Sequence, residues 1–305
     1  MIRIGTRGSV LALVQARVVA AALAGAGTTI VPMRTEGDRL ADARLAVVGG
    51  KGLFVREIEE AVLRGDVDVA VHSLKDLPAE SPPGLTLAAF MPRDDPRDVL
   101  VARRAATVET LAPGARVGTS SPRRRALLLA TRPGLTVEPI RGNVDTRLRK
   151  LASGEWDALV LAAAGLRRLG TTPEHCTALD PEVFVPAVGQ GIIAVEARAD
   201  DAGTRAWLAR IDDPATRVCA LAERAYLARL GASCNTPMAA HARLDDDTVR
   251  VTAVVASDDG RRVLRASAAG PADDAARIGR EIAETLLQRG AADVTALHPV
   301  GSATR

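Results

Sequence analysis

Short apolar runs that alternate with amphipathic helices constrain this chain most, because the series runs once and then starts again. Strand-like IRIGT hands over to the helical stretch SVLALVQARVVAAALAG, and TTIVPMRT reads as a second strand. A Gly-rich loop (Gly49, Gly50, Gly52) then leads into the amphipathic stretch LFVREIEEAVLRG, with Gly65 as its stop, and the buried-looking run VDVAVHS follows. Alternation of this kind calls for a mainly parallel sheet with helices on both faces. After DDPRD at 94–98, a plausible crossing between domains, the pattern restarts with DVLVARR, ARVGTS, LTVEPIR and ALVLAAAG. Helices follow the last three, the final one beginning near Leu166. The segment VPAVGQGIIAVEAR at 185–198 reads as a strand passing through a Gly-rich turn, a route back to the first domain.

From Asp213-Pro214 the character changes. A helix capped by Asp213 runs through CALAERAYLARL to Gly231. The strands HARLD, VRVTAVVAS and RRVLRASA follow, with a hairpin turn at Asp259-Gly260, and a last helix, AARIGREIAETLLQ, ends at Gly290. The expected fold is α/β, two domains with mainly parallel sheets plus a small α+β C-terminal domain. Domain 1 is placed at 1–93 and 190–211, domain 2 at 94–189 and domain 3 at 212–305.

Ligands of open α/β sheets bind outside the carboxyl ends of the strands, and here those ends carry cations. Arg7, with Ser9, follows the first strand, and Lys75 and Asp76 follow VDVAVHS. Ser121, Arg123 and Arg124 follow ARVGT, Arg141 and Arg147 follow LTVEPI, and Arg167 and Arg168 follow ALVLA. Ser121 reads as an N-cap and Pro122 as the first helical residue, so Arg123 and Arg124 fall in an opening turn. That end of a helix is already positive and disfavours cations, so the free N–H groups and guanidiniums together ask for an anion. Neither GxxxxGK[ST] nor a strand-linked GxGxxG is present to suggest a nucleotide. The array suits an extended ligand with many carboxylates or phosphates. Two readings fit Asp76: a carboxylate that satisfies Lys75 or arginine neighbours, or one that stabilises a cationic intermediate or moves protons. His72 reads as a packed strand residue.

Only Lys51, Lys75 and Lys150 are lysines among 40 basic residues, so a surviving lysine points weakly to a need for an amine. A net charge of +3 and 2% aromatic residues argue against nucleic acid. The N-terminal MIRIGTRGSVLALVQ lacks the pattern of a signal peptide, and no apolar stretch is long enough to cross a membrane. Cys176, Cys219 and Cys234 fit neither a disulfide framework nor a metal site, so no metal and a cytoplasmic setting are expected. Cys234, in LGASCNTPMAA, falls in a loop where a thiol is accessible, and Cys219 falls in a helical core.

The strings TRGSVLALVQ, GGKGLF, HSLKDLP, DDPRD, GTSSPRR, RGNVDTRL, AGLRRL and PAVGQG, with the loop Cys234, resemble the porphobilinogen deaminase (hydroxymethylbilane synthase) family in the family's order and over nearly the whole chain. The resemblance implies first and second domains built like periplasmic binding proteins. It implies a transferase of tetrapyrrole, porphyrin and haem biosynthesis, a monomer that condenses four porphobilinogen molecules head to tail with loss of ammonia and then releases hydroxymethylbilane by hydrolysis. It implies one dipyrromethane cofactor, joined by a thioether to Cys234. Asp76 would be catalytic. Lys75, Thr119, Ser121, Arg123, Arg124, Arg141 and Arg147 would hold the cofactor, and Arg7, Ser9, Arg168 and Gln190 the substrate. Lys51 and Phe54 would belong to a lid. Each pyrrole carries an acetate and a propionate, which is what an arginine array suits. Val47 stands where many members have Lys. Asp145 stands where Gly is frequent, and its preferred reading is a helix cap. The alternative reading is a non-catalytic two-lobed protein that binds a polyanionic small molecule; no nucleic-acid or membrane partner is expected.

Overall fold

The computed structural model describes residues 1–35, 55–232 and 235–297. Its contacts divide the chain into two units, Met1–Asp94 with Gly191–Arg217, and Asp95–Gln190 with Val218–Arg305.

In the first unit five strands form one sheet: β1 (Ile2–Arg7), β2 (Thr28–Met33), β3 (Val69–Ser73), β4 (Leu85–Phe90) and β10 (Ile193–Arg198). Their order is β2-β1-β3-β10-β4. β1 pairs parallel with β2 and β3, while β10 pairs antiparallel with both β3 and β4. All strands but β10 therefore point the same way, which is the mainly parallel sheet the alternation called for. The two faces bury different helices. Ile2, Ile4, Val69, Val71 and Val195 pack with Ala16 and Val19 of the Val10–Ala22 helix. Ala70, with Val31 and Met33, packs with Ile58, Ala61 and Val62 of the Arg56–Arg64 helix, which Gly65 ends in the left-handed region. Burial on both faces explains the continuous apolar runs of these strands.

The second unit repeats the plan. β5 (Asp98–Ala102), β6 (Arg116–Gly118), β7 (Thr136–Glu138), β8 (Ala158–Ala162) and β9 (Cys176–Ala178) lie in the order β7-β6-β8-β5-β9. Here β5 is the reversed strand, antiparallel to β8 and β9. In each sheet the reversed strand is the first that the chain forms after crossing from the other unit.

The same unit carries a third sheet, an antiparallel meander of β11 (Met238–Asp245), β12 (Thr248–Ala256) and β13 (Val263–Pro271). The Ala275–Gln288 helix covers it, and Gly260 makes the hairpin turn with φ +70°. Ala239 and Val254 of this sheet share a core with Leu100, Val117, Leu127 and Leu128, which is why two sheets fall in one unit.

Several local expectations hold. Ser121 caps the Pro122–Thr131 helix, accepting from the Arg124 N–H, with Pro122 in its first turn. Asp213 accepts from the Thr216 N–H at the head of the Pro214–Leu230 helix. Others need correction. Asn143 occupies the cap position of the Val144–Ala152 helix, and Asp145 sits inside the first turn, where its charge suits the helix dipole. The helix after β8 begins at Ala163, so Arg167 and Arg168 fall in its last turn and not at its start. β4, β9 and the Ala202–Leu208 helix have no counterpart in the sequence reading.

Candidate active site

In the first unit, Arg7, Ser9, Leu11, Ala12, Gln15, Val55, Val71, His72, Ser73 and Asp76 line one pocket. Most of the polar members sit where a strand ends, and Gln15 lies inside the helix that follows β1. Arg7 closes β1, and Ser9 caps the following helix by accepting from the Ala12 N–H. β3 ends at Ser73 and turns at once into a single 3-10 turn, Leu74–Asp76, that buries Leu74 and presents Asp76 outward. Gln15 is buried, and its Nε2 donates to Ser73 Oγ at 2.7 Å, which fixes the strand end against the helix. Among the described residues no hydrogen bond or ion pair engages the Asp76 carboxylate. Lys75 precedes it in the same turn, half-buried.

In the second unit the arginines at the helix start find their anion within the chain. Asp98 is fully buried at the head of β5, and Arg123 and Arg124 are only 4% and 7% exposed. Arg123 Nη1 donates to Asp98 Oδ2 at 2.6 Å and to the Val185 carbonyl at 2.8 Å. Arg124 donates to Asp98 Oδ1 from Nη2 at 2.8 Å and to the Val160 carbonyl from Nη1 at 2.9 Å. Gln190, also buried, donates from Nε2 to Asp98 Oδ1 at 2.9 Å and to the Pro96 carbonyl at 2.7 Å. Burial alone would raise the Asp98 pKa, but the two guanidiniums and the hydrogen bonds from Arg123 and Gln190 hold it well below the usual carboxylate range. The expectation that these arginines demand an external anion is thus corrected in part, since Asp98 takes up much of their donor capacity.

A positive surplus remains. One carboxylate faces two guanidiniums, and Arg123 Nε is buried without a hydrogen-bond partner among the described residues. Burial and then the charge of Arg124 push the Arg147 guanidinium pKa down, so Arg147 sits in a positive field. Its Nε donates to the Gly142 carbonyl at 2.8 Å. Arg141 is exposed in the loop before that helix. Thr119 is buried, and its Oγ1 accepts from the Ser121 N–H at 3.2 Å. Gly118 ends β6 close against Leu159 and Ile140, where a Cβ would stand 2.8 Å from Leu159 Cδ2. A ligand bearing carboxylates fits this donor set.

Placement differs from expectation for Gln190, which the sequence reading assigns to the first domain with 190–211. Gln190 belongs to the buried Asp98 network, and Arg168, like Gln190, falls in the second unit. Lys51, Phe54, Val47 and Cys234 lie outside the described residues. Sequence reading missed Asp98, although a charged residue opening an all-buried strand was a visible signal. It also missed Glu223, a buried acid that accepts from the Gly189 N–H at 2.6 Å and the Ala242 N–H at 2.7 Å. Among the described residues no helix is long and apolar enough to cross a membrane.

Two family signatures match the chain. One, described as "Porphobilinogen deaminase, dipyromethane cofactor binding domain", covers residues 2–206, and the other, "Porphobilinogen deaminase, C-terminal domain", covers residues 217–288. A porphobilinogen deaminase of Roseiflexus castenholzii is 52% identical over 291 residues, covering 94% of this chain and 96% of its own length. One from Syntrophobacter fumaroxidans is 48% identical over 295 residues, covering 95% of this chain and 96% of its own length. Among solved structures, the periplasmic VFT2 domain of Bordetella pertussis BvgS superposes with a TM-score of 0.42 at 14% identity, over 69% of this chain and 86% of that domain.

Proposed function

The chain belongs to the porphobilinogen deaminase family, and from that premise we propose how its own residues carry the family's reaction. The enzyme is a transferase of porphyrin biosynthesis. It joins four porphobilinogen molecules head to tail, each losing ammonia, and hydrolysis then releases hydroxymethylbilane. The dipyrromethane cofactor, when bound, supplies the pyrrole on which the new chain grows.

Asp76 is the catalytic residue of this reading. It stands exposed in the wall of a pocket with Arg7 and Ser9 and has no partner of its own among the described residues, the observation that carries the assignment. Its carboxylate holds the pyrrole N–H of porphobilinogen and stabilises the positive charge that develops as the aminomethyl nitrogen departs. Arg7 and Ser9 hold the substrate's acetate and propionate from the end of β1 and the start of the next helix. Arg168 is a further contact for substrate carboxylates in this reading, and Gln190 acts through the buried Asp98 network that it helps to hold.

Lys75, Thr119, Ser121, Arg141 and Arg147 take cofactor carboxylates. Arg123 and Arg124 act with them in a narrower way. Both are anchored on Asp98, so they set the surplus charge and fix the helix start while only their remaining donor positions face a carboxylate. Cys234 forms the thioether, Lys51 and Phe54 belong to a lid, and residues 212–305 form the domain that carries the cysteine. The protein works as a cytoplasmic monomer and needs neither nucleic acid nor membrane.

The test is stoichiometry. Purified holoenzyme given porphobilinogen should release four ammonia molecules for each hydroxymethylbilane formed. Tight binding of porphobilinogen with no ammonia released would refute the assignment and favour a non-catalytic binding protein.

A further inference from the structure

The layer between the first sheet and the Arg56–Arg64 helix should be apolar, and Ile58, Ala61, Val62 and Ala70 make most of it so. Three ionisable side chains nevertheless enter it. Ala194 pairs with His72 and Glu196 with Ala70, so the alternation of side chains along β3 and β10 puts His72 and Glu196 on the same face as Ala70. The helix packed on that face contributes Glu59. His72 is 5% exposed, Glu196 0% and Glu59 9%. His72 Nε2 lies 3.9 Å from Glu196 Oε2, and Nε2 has no hydrogen-bond partner among the described residues. His72 also lines the pocket that holds Asp76. Burying three such groups together is costly, and a function that needs them accounts for their retention.

The reaction has a use for them. In each addition the aminomethyl nitrogen of porphobilinogen reacts as its ammonium form, so the C–N bond breaks and its electron pair leaves on nitrogen as neutral ammonia. A C–C bond then forms from the α-carbon of the accepting pyrrole. That carbon's C–H bond breaks, the electron pair returns to the ring, and a proton is released. Ammonia takes up one proton to become ammonium, so each addition releases one proton and consumes one.

We propose that His72, Glu196 and Glu59 form a buried proton relay that ends at the wall of the Asp76 pocket, takes the proton released at the accepting carbon and passes it on to the ammonia already set free by C–N cleavage. The relay rests on the reading of this pocket as the substrate site. Burial first, then repulsion from Glu196 and Glu60, pushes Glu59 up to about 7, where a carboxyl both accepts and returns a proton near neutrality. Burial and then the charge of Arg7 push His72 down to about 4, so it stays neutral and passes protons without storing charge. Among the described residues, the charged groups facing the relay include Arg7 on β1, Arg198 on β10, whose Nη1 donates to the Val62 carbonyl, and Glu60 on the helix itself.

The test compares holoenzyme kcat against pH for the parent, Glu59→Gln, Glu59→Asp and His72→Gln. The parent should show a limb near pH 7. Glu59→Gln and His72→Gln should lose that limb and about tenfold or more in kcat with little change in KM, and Glu59→Asp should recover part of both. Thermal unfolding against pH supplies a second readout. A carboxyl raised in the folded state costs stability as pH climbs from its unfolded value through about 7, so Glu59→Gln should be at least as stable as the parent above pH 7. A parent-like profile and kcat in Glu59→Gln would overturn the relay. The site reading fails separately, if Asp76→Ala keeps its turnover.

Discussion

Asp76→Ala should lower kcat by roughly a hundredfold to ten-thousandfold, the range seen when a positioned acid–base or electrostatic group is removed. The fall should appear in kcat and not in folding. Asp76 is exposed on a 3-10 turn and has no hydrogen bond or ion pair among the described residues to lose, while the turn is anchored by buried Leu74. The melting temperature should therefore stay near that of the parent. Substrate affinity should change little if, as proposed, Arg7 and Ser9, which line the same pocket from other elements, hold the carboxylates. Asp76→Asn keeps the shape but not the charge, and should be nearly as slow if charge stabilisation is the role. A variant with near-normal turnover would remove Asp76 from the chemistry. A variant that is slow only because it binds substrate poorly would make it a binding residue.

The second large effect falls on stability. Asp98→Asn leaves Arg123 and Arg124 buried with no counter-charge, and breaking a buried pair in this way costs about 3–5 kcal/mol. Denaturant unfolding should show that loss, together with a lower yield of cofactor-loaded protein, because the Pro122–Thr131 helix start is held by Asp98. The pH dependence follows from the direction of the shift. The folded pKa of Asp98 is held far below the unfolded value, so its contribution is fully present above the unfolded value near 3.9. It fades only as pH falls toward the folded value. Asp98→Asn should thus remove a roughly constant increment across neutral pH, with the two proteins converging only in strong acid. An unchanged unfolding midpoint at pH 7 would show that the arginines find another anion.

What was legible beforehand was mostly local. Ser121-Pro122 announces a helix start within a few residues, and AARIGREIAETLLQ carries its own period and its Gly290 stop, so each element appears where it reads. β4 and β9 were missed because what makes them strands is distant: β4 pairs with β10 and β9 with β5, across stretches no local pattern spans. The candidate site shows the same division. Cations at strand ends were readable, and so was Asp76 beside Lys75. The partner of Arg123 and Arg124 was not, because a charge misplaced on a helix reveals the need for an anion but not whether a ligand or the chain supplies it. Asp98 lies 25 positions before Arg123 and reaches it only through the sheet. Likewise, Glu59, Glu196 and His72 look unrelated in the sequence; the pairing of β3 with β10 and the helix above that face bring them into one layer.

The central claim is that this chain builds its product on a cofactor tethered at Cys234, and intact-protein mass tests it most directly. The purified parent should be heavier than its sequence by one dipyrromethane, and short exposure to porphobilinogen should add further steps of one pyrrole each. Cys234→Ser should show the bare mass and no turnover. A parent with the bare mass and full activity, or a Cys234→Ser variant that still carries the adduct, would contradict the account.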